Sequence, residues 1–269
     1  MGELRCYRRL ARAALRADLE QPRLFWSSVA CSAVASSLEL VGIVLLLRTA
    51  GQIGGWNIYE VIVLACLTYC SLSCHGAVAI RIYDDHFRQL VFSGEFAQAL
   101  TRPLRPLTWV CGSDPEFRVV GRFMVSLGVL VWATSSAGVR WGPVQLGLVV
   151  LSIGCTILVL LSISLMGASL ALRTGQGITF TEAIVGSGIS IATYPAQIFD
   201  VALRMLTIYV LPLGLTVYVP TLWLLGKDGP AFVPRELLAL VPVLTAAFLV
   251  VALMAWGKGV RHYLENGGE

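Results

Sequence analysis

The chain has 269 residues, 57% of them hydrophobic and 13% charged, with a formal net charge of +4 and a mean hydropathy of +0.76. An average soluble domain is roughly 45–50% apolar and about 25% charged, so this composition describes an integral membrane protein. At about 20 residues per span the length is consumed by helices and short loops, which excludes a soluble catalytic domain.

Six arginines, Arg5, Arg8, Arg9, Arg12, Arg16 and Arg23, precede the first apolar run. That stretch is too long and too charged for the leading region of a cleaved signal peptide, so the amino terminus is expected to be retained. On a helical wheel Leu4, Tyr7, Leu10, Ala11 and Ala14 share one face, and Arg5, Arg9, Arg12 and Arg16 share the opposite one. Residues 1–24 therefore read as a cytoplasmic amphipathic helix lying at the interface and attracted to membrane lipid heads. A merely solvated basic helix is the blander reading, because Leu19 falls off the apolar stripe and alanine supplies much of it.

Apolar windows follow at about 25–47, 58–80, 119–139, 144–172, 178–225 and 236–257. With the amino terminus in the cytoplasm, the early arginines fall inside together with Arg81, Arg88, Arg102, Arg105, Arg118, Arg122, Arg173, Lys258 and Arg261. Arg48, Arg140, Lys227 and Arg235 are left outside and Arg204 unassigned, an arrangement the positive-inside bias favours. The stretch from about 176 to 225 must then cross an odd number of times. Three crossings would need roughly 60 residues plus turns, so one crossing with a re-entrant excursion fits, broken at Pro195, Pro212 and Pro220. Small residues at fourfold spacing, Ala183 with Ser187, Gly186 with Ser190 and Gly188 with Ala192, offer a flat face for close helix approach.

Catalytic signatures are missing. The sequence has no phosphate-binding GxxxxGK[ST] loop, no GxSxG elbow and no HExxH pair, so it holds no nucleotide by a Walker mechanism and reads as a non-enzyme. Cys66, Cys70 and Cys74 line one helical face ahead of His75, but one face cannot wrap a tetrahedral ion; they read as small buried hydrophobes, and no metal is expected. Nothing in the pattern calls for nucleic acid.

Three ionisable residues stand out within the membrane. Glu39 lies inside the first span, where an isolated charge costs about 2.5–3.5 kcal/mol on insertion scales. It could line a polar translocation path or pair with another helix. Asp200 and Arg204, four apart, could neutralise each other on one helix face and are the other candidates for the path.

The loop after the second window, SGEFAQALTRPLRPL from Ser93 to Leu107, is polar, basic and proline-punctuated. Gly94 can open a short helix carrying Glu95, Phe96 and Leu100, the last two on one face. Arg102, Pro103, Arg105 and Pro106 end it in a stiff basic turn. Such a knob suits a groove on a soluble partner, and it equally suits a plain loop against lipid heads; the residues alone leave both open.

Taken with the basic amino-terminal segment, Gly54-Gly55-Trp56 followed by Glu60, and the late Tyr194-Pro195, Tyr209-Val210-Leu211-Pro212 and Tyr218-Val219-Pro220, this loop resembles that of the permease subunits of ABC type 2 exporters, the ABC-2 family transporter proteins. The resemblance implies an all-α membrane fold: six transmembrane helices, both termini cytoplasmic, and a re-entrant helical pair before the last span. It further implies one transmembrane domain over residues 25–269 with a coupling segment at 83–116, within which Gly94 to Pro106 docks on an ATPase. Two permeases, the same chain or a paralogue, would assemble with two separate ATP-binding-cassette subunits that hold ATP and Mg. A bacterial inner-membrane location, the export direction and an amphiphilic substrate come from the same resemblance. The polar stretch Thr174–Thr181 matches no pattern of the family. The rival is a secondary transporter or channel acting without an ATPase, whose mark would be coupling acids at mid-bilayer; Glu39 is the one such acid in a clear span.

Overall fold

The computed structural model describes residues 2–50, 55–82, 85–113, 115–174, 177–228, 233 and 236–265. Gly54, Arg235 and the middle of the Thr174–Thr181 stretch lie outside them. Among the described residues all regular structure is helical, and five helical segments are long and apolar enough to cross a bilayer. A pair of helices bent by 91° makes a sixth if taken as one span. The chain is an all-α, multi-pass membrane protein.

Helix α1 (Gly2–Glu20) turns Tyr7, Leu10, Ala11 and Ala14 inward and leaves Arg5, Arg8, Arg9, Arg12 and Arg16 exposed, as its two faces predict. Helix α2 (Pro22–Ala50) is peripheral: Leu24, Val34, Leu38, Val41 and Leu45 are exposed, while Phe25, Ser36, Leu40, Ile43 and Leu47 face inward. Helix α3 (Ile58–Ala79) is the centre of the bundle, with Val61 to Cys66 almost fully buried. Every span is apolar in a bilayer, so it is burial by neighbouring helices that marks α3 as central.

The remaining spans are α7 (Val120–Ser136), α8 (Pro143–Thr174) and α12 (Leu237–Glu265), and three short helices fill the chain between α3 and α7. Glycines set two close crossings. A Cβ on Gly121 would stand 2.1 Å from the Val29 carbonyl oxygen and 2.5 Å from Ser32 Oγ, so α7 touches α2 backbone to backbone. Gly259 does the same for α12 on α8, where Ser169 Oγ also donates to the Ala255 carbonyl at 2.6 Å. Small residues and interhelical hydroxyl bonds replace the hydrophobic effect as the source of cohesion in lipid.

Between α8 and α12 the chain is broken, and its segments Val201–Val210 and Leu213–Leu224 meet at 91°. Helix α9 (Gly177–Ala192) climbs until the Ala192 carbonyl accepts from Thr68 Oγ1, halfway along α3, at 3.3 Å. Helix α10 (Val201–Met205) runs on through a widened turn at Leu206–Val210, breaks at Leu211-Pro212, and gives way to α11 (Leu213–Leu224). Leu213 packs against Gly188 of the small-residue face of α9, so part of that face is used within the chain. Past α11, Lys227 ion-pairs with Glu60, donates to the Gly55 carbonyl at 3.0 Å and lies 5.1 Å from the Trp56 ring centre. Gly55, Trp56 and Glu60 of the signature thus hold the chain just past α11.

The expected break at Pro220 is not one. Pro220 sits inside α11, where its missing N–H leaves the Thr216 carbonyl without a helical donor. Ser152 of α8 supplies that donor at 2.9 Å, and Thr156 Oγ1 bonds Thr216 Oγ1 at 2.9 Å. Pro195 and Pro212 do mark breaks, before the turn at Ala196–Ile198 and before α11.

Candidate functional site

At the end of the bundle that carries α1, the chain between α3 and α7 folds into a cluster of three short helices: α4 (Asp85–Phe92), α5 (Glu95–Leu100) and α6 (Pro106–Ser113). Gly94 turns α4 into α5 at φ +74°, a left-handed conformation that side chains resist. Pro106 opens α6, where a missing N–H costs nothing.

Phe96 and Leu100, expected to face a partner, are turned toward the chain itself. The Phe96 side chain is 0% exposed and meets Phe87, Trp256 and Tyr263 edge-on, with centroids 5.6, 6.0 and 5.4 Å away. Trp256 and Tyr263 belong to α12, so the loop is pinned to the end of the last span; Leu100 packs half-buried against the same cluster. The face left to solvent consists of Glu95, Ala97, Gln98, Arg102, Pro103 and Arg105, with Phe92 beside it at 76% exposure. Phe92 was not singled out from the sequence, where an apolar residue ending a helix looks like any other core position.

Arg81 and Arg102 help to organise the cluster. Arg81, just beyond α3, reaches Glu95 Oε2 at 3.6 Å and donates to Ser113 Oγ at 3.2 Å, holding α5 and α6 to the end of the central helix. The Arg102 guanidinium sits 5.3 Å over the Trp109 ring, a cation–π contact that orients it while leaving it exposed. Against α6 lies α1, with Tyr7 and Leu10 packed on Gly112. Its apolar face thus meets protein as well as any interface. Burial pushes the Cys111 thiol up to about 12, and burial together with nearby Cys111 raises the Tyr7 phenol.

Within the bundle, Glu39 and Arg122 form an ion pair at 3.4 Å. They line a polar bay of about 390 Å³ with Tyr69, Ser190, Thr193 and Tyr194, between α2, α3, α7 and α9. Pairing removes most of the cost of a lone intramembrane charge, and the hydroxyls leave the bay able to solvate a polar group at mid-depth.

Asp200 and Arg204 do not line this bay. Arg204 accepts its place in α10 through a backbone bond to the Asp200 carbonyl at 2.9 Å, while its Nη2 donates to the Phe199 and Gln197 carbonyls at 2.8 and 3.3 Å. Its guanidinium closes the turn that leads into α10.

Residues 33–267 match the family model described as ABC-2 family transporter protein, which bears out the resemblance seen in the sequence. No curated protein and no solved structure gives a significant match.

Proposed function

Because the chain belongs to the ABC-2 family of transporter proteins, we propose that it is the permease subunit of an ATP-driven exporter, working beside a second permease and two ATP-binding-cassette subunits. ATP and Mg are held by those partner subunits; this chain supplies the path and the lever. The carrying observation is the rigid attachment of the α4–α6 cluster to two spans at once, to α3 through Arg81 and to α12 through Phe96.

A lever needs a handle and stiff arms. The exposed arc of Phe92, Glu95, Arg102, Pro103 and Arg105 is the handle, and Gly94, Phe96, Leu100 and Pro106 shape it from within. Movement of the ATPases displaces this arc, and the buried aromatic contacts pass the displacement to α3 and α12 instead of absorbing it. The polar bay around Glu39 and Arg122 widens or narrows as α3 shifts, which makes it part of the route for an amphiphilic substrate. The termini and the arginine-rich end face the cytoplasm of a bacterial inner membrane in this reading, in keeping with the positive-inside bias. The exposed apolar stripe of α2 meets lipid or the second permease.

The test is co-purification with the cognate ATPase followed by turnover and transport assays in liposomes. Phe92→Ala with Arg102→Ala should abolish association. Arg81→Ala should leave the ATPase bound and hydrolysing while transport falls. Substrate transport by this chain alone, with no ATPase and no ATP, would overturn the proposal in favour of a secondary carrier.

A further inference from the structure

A groove of about 620 Å³ runs between α8 and α12 on the flank of the bundle. Its walls are aliphatic, from Ile163 and Leu170 on one side to Val251 and Met254 on the other, and Val210 of the bent segment borders it. Leu170, Val251, Met254 and Val210 are all exposed. One end differs in kind: Arg173 and Lys258 line the groove and also line an adjoining pocket of about 380 Å³ completed by Arg261, His262 and Glu265. Among the described residues three permanent cations line that mouth against one carboxylate, so it attracts an anion.

The dimensions match one kind of occupant. Ile163 stands roughly 15 Å along α8 from Arg173, about half of the ~30 Å hydrocarbon thickness of a bilayer. The groove is therefore one leaflet deep, cationic at the level of the headgroups and apolar down to the middle. A free anion would have no use for the walls, whereas an anionic headgroup with an attached chain uses both.

We propose that this groove binds an anionic phospholipid, with its phosphate on Arg173 and Lys258 and one acyl chain laid along α8 and α12. Basic pockets between spans at the cytoplasmic side recognise such headgroups by charge, and the apolar wall adds the contact of the tail.

The experiment uses the full chain in nanodiscs carrying a phosphatidylglycerol with a photoreactive group in its acyl chain, compared with the phosphatidylcholine analogue. The glycerol lipid should label peptides around Leu170 and Met254, and the choline lipid should not. Arg173→Gln with Lys258→Gln should weaken phosphatidylglycerol binding in a native mass-spectrometric titration by about 30-fold, while Arg173→Lys with Lys258→Arg should retain it. Val251→Trp, which fills the groove and leaves the mouth intact, should remove the labelling. Equal labelling by both lipids, unchanged affinity in the charge-removing variant, displacement by inorganic phosphate alone, or disulfide-linked pairs of a Met254→Cys variant would each overturn the assignment.

Discussion

Phe96 and Trp256 stand edge-on, 6.0 Å between ring centres, and this contact joins the loop between the second and third spans to the end of the last one. Phe96 is wholly buried, whereas Phe92 of the same loop is 76% exposed. Truncating a buried phenylalanine to alanine costs about 3–5 kcal/mol. Phe96→Ala should accordingly lower the thermal midpoint of the detergent-solubilised protein strongly, and Phe92→Ala should leave it unchanged. Scanning fluorimetry of the two variants side by side decides this, and equal midpoints would refute the anchoring role.

Ser152 and Pro220 are coupled through a carbonyl neither owns. Ser152→Ala leaves the Thr216 oxygen buried without its donor, at a cost of about 1–3 kcal/mol. In a Pro220→Ala background residue 220 has its own N–H for that oxygen, so the same serine change should cost much less. A double-mutant cycle read by unfolding should show a coupling of roughly 1 kcal/mol or more; additivity would mean the serine bond contributes nothing.

Gly121 and Gly128 lie on the same helix and should respond oppositely to alanine. The new Cβ at residue 121 would overlap the Val29 carbonyl at 2.1 Å, and at residue 128 it would meet nothing within 4 Å. Gly121→Ala should reduce the folded yield and separate α2 from α7. Gly128→Ala should be neutral or slightly stabilising, since alanine gains up to about 1 kcal/mol of helix propensity. Size-exclusion profiles and thermal midpoints measure both.

Cys111 reports on the packing of α1 over the loop. Burial holds its pKa at about 12, up from the ordinary 9.0, so the folded state favours the neutral thiol. The stabilisation is complete below pH 9.0, declines as pH rises, and is lost through about 12. At pH 8 Cys111 should react far more slowly with iodoacetamide in the folded protein than after unfolding, and Tyr7→Ala should speed it. Mass-spectrometric rates of alkylation at this cysteine provide the check; a rate unchanged by unfolding would contradict the burial.

Much of the architecture was legible from composition because a bilayer demands apolar runs of fixed length. The window at 25–47 became Pro22–Ala50 and that at 144–172 became Pro143–Thr174. The arginine-free face of α1 was legible for the same reason: fourfold spacing on a helix leaves little choice. What escaped notice depends on distant residues. Spacing showed that Phe96 and Leu100 share a face, yet only the return of α12, more than a hundred residues later, determines what covers it. Pro220 carries a local signal for a break, and the signal is overridden by Ser152, 64 residues before the carbonyl it bonds. Glu39 could be flagged as costly on its own, while Arg122 as its partner, 83 residues away, needed the packing of α2 beside α7.

Helix α11 spans about 18 Å at 1.5 Å per residue, too short to cross a bilayer of about 30 Å by itself, and it carries a carbonyl that its own backbone cannot satisfy. Ribosomal synthesis delivers α8, with Ser152 in place, before α11 emerges. Gene order therefore doubles as an assembly schedule: the receptor for the defective segment is already seated when that segment arrives. A permuted gene that made α11 first would present an orphaned oxygen to the lipid with nothing yet built to receive it.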